Sequence, residues 1–331
     1  MITVNHLTKV YGSHKAVDDL SFTIEKGKVY GFLGPNGAGK STTMNILTGC
    51  LASTEGEVKI GEFDIFEQPQ QAKKLIGYLP ELPPLYQDMT PYEYLKFAGQ
   101  AKGLKGAELK ADVQNVMNIT KLEDVRSRLI KNLSKGYKQR VGIAMALLGN
   151  PEVIILDEPT VGLDPKQIIE IRQLIKSLGE SHTVILSSHI LSEVSEVCDE
   201  ILIISHGKLV ASDTPENLTK TLTDQRTLTL CVHQDISGYL SEIDGITEVK
   251  QNEGEFTYTL SLADEEVPER ISLLLGKNGI AIREMYLSKA TLEDVFLELT
   301  SDTAAEEVQE EAQEEAQEET QEEAQEGGEQ A

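Results

Sequence analysis

Gly34-Pro35-Asn36-Gly37-Ala38-Gly39-Lys40-Ser41-Thr42 stands between an apolar run at 29–33 and a segment of helical spacing at 42–51. The nine residues match G-x-x-x-x-G-K-[ST] in full, where a strand should turn into a helix. Such a loop aims backbone N–H groups inward and cradles phosphate. Glycines at 34, 37 and 39 let the main chain approach oxygen atoms, because a Cβ would clash with the ligand or forbid the φ and ψ required. Lys40 would set its ammonium against β- and γ-phosphates, and the Ser41 hydroxyl would complete the shell of a Mg²⁺ ion. A glycine-rich turn without function is the competing reading, so the rest of the chain decides.

A second apolar run, 153–156, ends in Asp157-Glu158. Alone it would read as a strand entering a solvated acidic turn. Beside a phosphate cradle, Asp157 suits direct or outer-shell Mg²⁺ coordination, and Glu158 suits general-base activation of a water aimed at a γ-phosphate.

With 331 residues and 40% hydrophobic content, the chain can bury a sizeable core and suggests two domains with an appendage. Its apolar runs are far shorter than the roughly 20 residues of a membrane span. The segment Met1 to His6 lacks the basic start and apolar stretch of a signal peptide, which points to the cytoplasmic side. Cys50, Cys198 and Cys231 are few, odd in number and widely spaced, so they read as small buried hydrophobes. The net charge is −25, but residues 301–331 hold 12 Glu, one Asp and no Lys or Arg, leaving −12 elsewhere. That balance disfavours a broad nucleic-acid surface, and no nucleic-acid partner is expected.

Short β-like runs at 2–7, 17–24, 28–33 and 56–60 imply a nucleotide core fused to a small antiparallel sheet. Thr90-Pro91-Tyr92-Glu93 is a capping box with Pro at the first helical position and opens a helix over 91–102. Helical spacing at 108–117 and 134–148 extends a helical insert over about 88–149. From 153 to 204 strand and helix alternate, the pattern of a parallel sheet with covering helices. The first domain is expected over 1–220. A second, over 225–300, reads β (227–233), α (near 237–243), β (246–251), β (256–262), α (267–277), β (280–287), a ferredoxin-like order. Thr291 caps a last helix to about 300. Residues 306–325 repeat Glu-Glu-x-Gln five times, so a helix there would stack like charges, and disorder of the acidic tail is the expectation.

Leu133-Ser134-Lys135-Gly136-Tyr137-Lys138-Gln139-Arg140 lies upstream of the acidic strand. With the cradle and the Asp157-Glu158 pair, it makes the chain resemble an ATP-binding subunit of the ABC transporter family. The octapeptide is similar to the family signature, usually Leu-Ser-Gly-Gly-Gln, and departs from it at Lys135 and Tyr137. By resemblance, Ser134 and Gly136 close over ATP held by a second copy, in a head-to-tail dimer with two ATP molecules at the seam. Ser134 also reads as a simple N-cap, which is compatible. Gly162-Leu163-Asp164-Pro165 resembles the family's D-loop, with Val161 where serine is common. Ser187-Ser188-His189 resembles the switch-histidine loop, which gives His189 a γ-phosphate role; a structural histidine is the alternative. Tyr11 matches the aromatic that stacks on adenine, or is a half-buried loop aromatic. In Ile76-Gly77-Tyr78-Leu79-Pro80-Glu81 the family usually ends on Gln; Glu81 can still hold Mg²⁺, yet it adds negative charge near phosphates.

The resemblance implies an α/β fold with a P-loop NTPase core, an antiparallel β subdomain, a helical insert and a small C-terminal α+β domain. It implies ATP and Mg²⁺ as ligands, and ATP hydrolysis that powers transport, with export favoured, through separate membrane permease subunits. The chain would sit peripherally on the cytoplasmic face of the membrane, with the loop at 82–90 as its coupling surface. The closing 291–300 segment resembles the extension of exporter ATPase subunits whose membrane parts are separate chains. One rival is a non-transport ABC ATPase acting on ribosome or nucleic acid; a single ATPase module and the lack of a long coiled-coil insert speak against it. A nucleotide kinase or GTP switch would have no use for Leu133 to Arg140 or for Asp157-Glu158-Pro159.

Overall fold

Five buried residues in succession, Val29–Leu33, suit the middle of a sheet covered on both faces. In the computed structural model, which describes residues 1–221, 226–241, 243–251, 256–262, 266–288, 292–297 and 299, the chain divides into two units, 1–215 and 216–298. β1 (Ile2–Tyr11) and β2 (His14–Ile24) form an antiparallel hairpin whose turn holds Gly12 at φ 62. β3 (Val29–Leu33) leads through the glycine loop into α1 (Lys40–Leu47). β4 (Glu55–Ile60) and β5 (Phe63–Asp64) complete an antiparallel sheet in the order β2-β1-β4-β5.

After α2 (Pro69–Lys74), β6 (Ile76–Leu79) enters a second sheet. The helical insert follows as α3 (Pro91–Ala101), α4 (Gly106–Ile119) and α5 (Lys135–Leu147). The expected capping box is present: Thr90 Oγ accepts from Glu93 N, and the Glu93 carboxylate accepts from Thr90 N at 2.9 Å. β7 (Val153–Asp157), α6 (Pro165–Gly179), β8 (Thr183–Ser188), α7 (Leu191–Val197) and β9 (Glu200–Ser205) then alternate, and β10 (Lys208–Asp213) ends the sheet. Its order is β10-β9-β3-β8-β7-β6, parallel throughout except for β10. Phe32, Met44, Leu47, Ile60, Ile155 and Ile204 belong to one buried core, each side chain worth about 1.5–3 kcal/mol on burial.

Register positions the site. Leu33 pairs with Ser188, Asp157 with Ser187, and Leu79 with Leu156, so the carboxyl ends of four parallel strands are level. The segments after them carry residues 34–42, Glu81, Glu158 and His189 along one sheet edge, where open α/β sheets hold ligands.

Several elements differ from the sequence pattern. The helix expected over 42–51 starts at Lys40, because Gly39 serves as N-cap at φ 95, and ends at Leu47, shortly before Gly49 at φ 65. β5, α2, β6 and β10 were not expected. Gly77 interrupts the apolar run of β6, and a Cβ there would stand 2.2 Å from the Ala146 carbonyl oxygen of α5. β10 is a partly exposed edge strand with no apolar run. Cys50 is exposed rather than buried, since it follows Gly49 past the end of α1; Cys198 is buried and Cys231 half-buried.

In the second unit, after α8 (Pro215–Thr221), come β11 (Arg226–Val232), α9 (Ser237–Leu240), β12 (Ile246–Gln251), β13 (Thr257–Leu262), α10 (Val267–Lys277) and β14 (Ile282–Ser288). The sheet order β12-β13-β11-β14, with every neighbour antiparallel, is the ferredoxin-like arrangement. Leu228, Leu230, Tyr258, Leu260, Val267 and Ile271 lie in its core. Residues 292–297 are helical, with Leu292 and Val295 buried. The expected cap Thr291 and the acidic tail at 301–331 lie outside the described residues. Among the described residues no helix is long and apolar enough to cross a membrane.

Candidate nucleotide site

The three loop glycines answer to three different constraints. Gly39 has φ 95, and a Cβ on it would lie 2.2 Å from the Ala16 carbonyl oxygen, so the loop seats directly on β2. Gly37 has φ 86 and open space around it. At Gly34 a Cβ would meet the Ile204 carbonyl oxygen at 2.3 Å, so its constraint comes from β9 rather than from a ligand. Lys40 is buried, and its Nζ donates to the carbonyls of Gly34 (2.7 Å) and Pro35 (3.0 Å), holding the loop curled. Burial lowers the Lys40 pKa from its ordinary value, and the nearby Glu158 and Asp157 carboxylates oppose that shift. The ammonium thus rests on its own loop, in a setting that favours an added anion.

At the end of β7, Asp157 is buried and accepts a 2.5 Å hydrogen bond from the Ser187 hydroxyl. The same hydroxyl oxygen accepts from Glu158 N at 3.0 Å. Glu158 takes a left-handed φ of 48, a strained choice for a residue with a Cβ. His189 Nδ1 lies 3.1 and 3.0 Å from the two Glu158 carboxylate oxygens. The backbone of Glu158 is therefore held by Ser187 at the end of β8 and its side chain by His189 just after that strand, which fixes the strained conformation.

A cavity of about 520 Å³ opens over these groups. Asn36, Gly37, Gly39, Lys40, Ser41 and Thr42 line it from the loop and α1, and Tyr11, Glu81, Glu158 and His189 line it from elsewhere. Tyr11 is about half exposed, with Lys9 Nζ 5.2 Å from its ring centroid. Gly34, Pro35 and Ala38 stand behind the lining; the first two supply the carbonyls that hold Lys40. Asp157 is also behind it, bonded to Ser187 and acting on the lining residue Lys40 through its charge. Ser134 and Gly136 are not brought to this cavity: Ser134 caps α5 by accepting from Tyr137 N, and Gly136 packs against Gln167.

His14 and Ala16, which the sequence does not single out, also line the cavity, as does Val161, noted there only as a departure from the D-loop pattern. His14 pairs with Tyr11 across the β1–β2 turn, and Ala16 supplies the carbonyl that meets Gly39. A usable signal existed in the two-residue Gly12-Ser13 spacing, which places His14 beside Tyr11 in a hairpin. Nothing local marks Ala16.

The ABC transporter family matches residues 17–161, and the C-terminal domain of DrrA1-3-like ATP-binding proteins matches residues 220–300. The bacitracin transport ATP-binding protein BcrA of Bacillus licheniformis is 36% identical over 311 residues, covering 90% of this chain and 97% of that protein. The linearmycin resistance ATP-binding protein LnrL of Bacillus subtilis is 33% identical, covering 92% and 99%. A dimeric ATP-binding cassette solved in a post-hydrolysis state with ADP and Pi superposes with a TM-score of 0.59 at 28% identity, covering 65% of this chain and 98% of that one.

Proposed function

The chain belongs to the ABC transporter family as an ATP-binding, ATP-hydrolysing subunit, and from that premise we propose that it drives export through separate membrane-spanning partners at the cytoplasmic face of the membrane. The observation that carries this reading is the convergence of Lys40, Ser41, Glu158 and His189 on one cavity at the carboxyl edge of the parallel sheet. The names of BcrA and LnrL, tied to bacitracin transport and linearmycin resistance, support the direction of movement.

In this reading Tyr11 stacks on adenine, and the N–H groups of residues 36–42 receive the phosphates. The Lys40 ammonium exchanges the Gly34 and Pro35 carbonyls for β- and γ-phosphate oxygens. Among the described residues no three His, Cys, Asp or Glu side chains converge as a metal site. That suits a Mg²⁺ ion held mainly by phosphate oxygens and water, with the Ser41 hydroxyl and Glu81 as protein donors and Asp157 outside the first shell. Bound there, Mg²⁺ would neutralise charge on the phosphates. Glu158 takes the proton of the attacking water, and His189 orients that carboxylate and donates toward the γ-phosphate. Ser134, exposed at the N-terminal tip of α5, and the neighbouring Gly136, buried against Gln167, serve the ATP of a second copy, a use supported by their absence from their own cavity and by the dimeric assembly of the related cassette.

Glu158→Gln tests the assignment. ATP should still bind while turnover falls by about 10²-fold or more, and the variant should accumulate as an ATP-bound dimer, read by size-exclusion chromatography. A monomer at saturating magnesium nucleotide counts against the paired site; rapid hydrolysis counts against Glu158 as base.

A further inference from the structure

Thr160 and Glu193 are 3% and 5% exposed, and the Thr160 hydroxyl donates a hydrogen bond to the Glu193 carboxylate. Thr160 stands two residues past Glu158, and Glu193 four residues past His189, in the first turn of α7. The bond therefore joins the loop after β7 to the helix after β8, the same two segments that meet at the Glu158–His189 pair. A carboxyl group taken out of water costs stability unless it is hydrogen-bonded, and an apolar pair would fill the space without that cost. Neither residue lines the nucleotide cavity. A second cross-link also ends on α7: Arg172 of α6, the helix that follows the Glu158 loop, pairs with Glu196. Glu158 itself is held at φ 48, a conformation that persists only where the surroundings over-determine it.

We propose that the buried Thr160–Glu193 hydrogen bond is a positioning device that sets the spacing of Glu158 and His189, so that base and imidazole address the γ-phosphate together. The inference rests on the reading of Glu158 as general base. Thr160 and Glu193 touch no nucleotide and act through the two segments that carry the catalytic pair. Nucleotide affinity is set by the loop at 34–42, so breaking the bond separates turnover from binding.

The test uses the full chain, with ATP turnover, nucleotide affinity and folded fraction measured on each variant. Thr160→Val removes the hydroxyl at nearly constant shape and should lower kcat by about tenfold or more with ATP affinity unchanged, since small misplacements of catalytic groups are costly. Thr160→Ser returns the hydroxyl and should recover turnover. Should Thr160→Val not fold, Glu193→Gln, which keeps an acceptor, is compared with Glu193→Leu, which does not; the first should stay close to the parent and the second should fall. Parent turnover per folded molecule in Thr160→Val or Glu193→Leu overturns the proposal, as does a loss that Thr160→Ser leaves in place. Glu158→Gln run alongside keeps the two readings apart: undiminished hydrolysis there overturns the base assignment, whatever the Thr160 variants do.

Discussion

Among the described residues, every buried polar or charged side chain, from Lys40 and Asp157 to Thr160, Ser187 and Glu193, lies in the unit at 1–215, whereas the unit at 216–298 buries apolar side chains and Tyr258. Burying a polar group is costly unless it is bonded, so such groups accumulate where chemistry needs fixed donors and acceptors. In the first unit Lys40, Asp157, Ser187 and Ser188 stand at the level strand ends beneath the cavity, while Thr120, Gln139 and His182 are buried elsewhere. In the second, the buried phenol is satisfied locally: Tyr258 donates to Asp235 at 2.8 Å and accepts from Ile236 N at 3.1 Å. The first unit is thus built around a site and the second around a core. Polar substitutions in the first should cost activity ahead of folding, and substitutions in the second should cost folding alone.

Lys40→Ala gives the largest expected effect. Two charge-assisted bonds to phosphate, about 1.5–3 kcal/mol each, are lost, so affinity for ATP should fall by about 100-fold or more. Retained micromolar affinity in a titration with a fluorescent ATP analogue would break the contrast at its strongest point.

Next come the glycines. Gly39→Ala must bear both a left-handed φ and a collision with the Ala16 carbonyl, while Gly37→Ala bears the φ alone. Gly37→Ala should cost about 1–2 kcal/mol and Gly39→Ala clearly more, measured by thermal melting. Equal losses would mean that the seat of the loop on β2 does not matter.

Tyr258→Phe sharpens the other half. It leaves the buried Ile236 N–H without its acceptor and should lower the stability of the second unit by about 1–3 kcal/mol, with hydrolysis unchanged. Bonds from the Ser237 backbone N–H and hydroxyl, and then from Tyr258, hold the Asp235 carboxyl below its ordinary value. A depressed carboxylate stabilises the fold above its unfolded value, and that contribution is lost as pH falls through the folded value. The gap between parent and Tyr258→Phe should therefore narrow on acidification; a gap that widens, seen by hydrogen exchange, contradicts the assigned bond.

Glu81→Gln is the smallest change. It removes one negative charge beside the phosphates, and the KM for ATP should fall by roughly fivefold, about 1 kcal/mol. An unchanged KM across magnesium concentrations would show that Glu81 is screened from the nucleotide.

Much of the fold could be read from local pattern. The box Thr90–Glu93 marks the start of α3, the alternation after 151 marks the parallel sheet, and the order of apolar runs after 226 marks the ferredoxin-like unit. What escaped were elements with little pattern of their own: β6 is split by Gly77, β5 has two residues, and β10 is a partly exposed edge. The candidate site shows the same division. Residues 36–42 and Asp157-Glu158 declare themselves by type and spacing and His189 through its resemblance to the switch-histidine loop, while Ala16 reaches the cavity only because β2 lies against the loop.

The sequence by itself determined which residue types stand after each strand, because φ preferences, apolar periodicity and capping are local properties of a few neighbouring residues. Tertiary structure decided what those residues do to one another. That Gly34 answers to the Ile204 carbonyl, that Glu158 sits left-handed against His189, and that Thr160 reaches Glu193 all follow from how strands far apart in the chain align and pack. Register is set by the whole buried core, and no short stretch of sequence contains it.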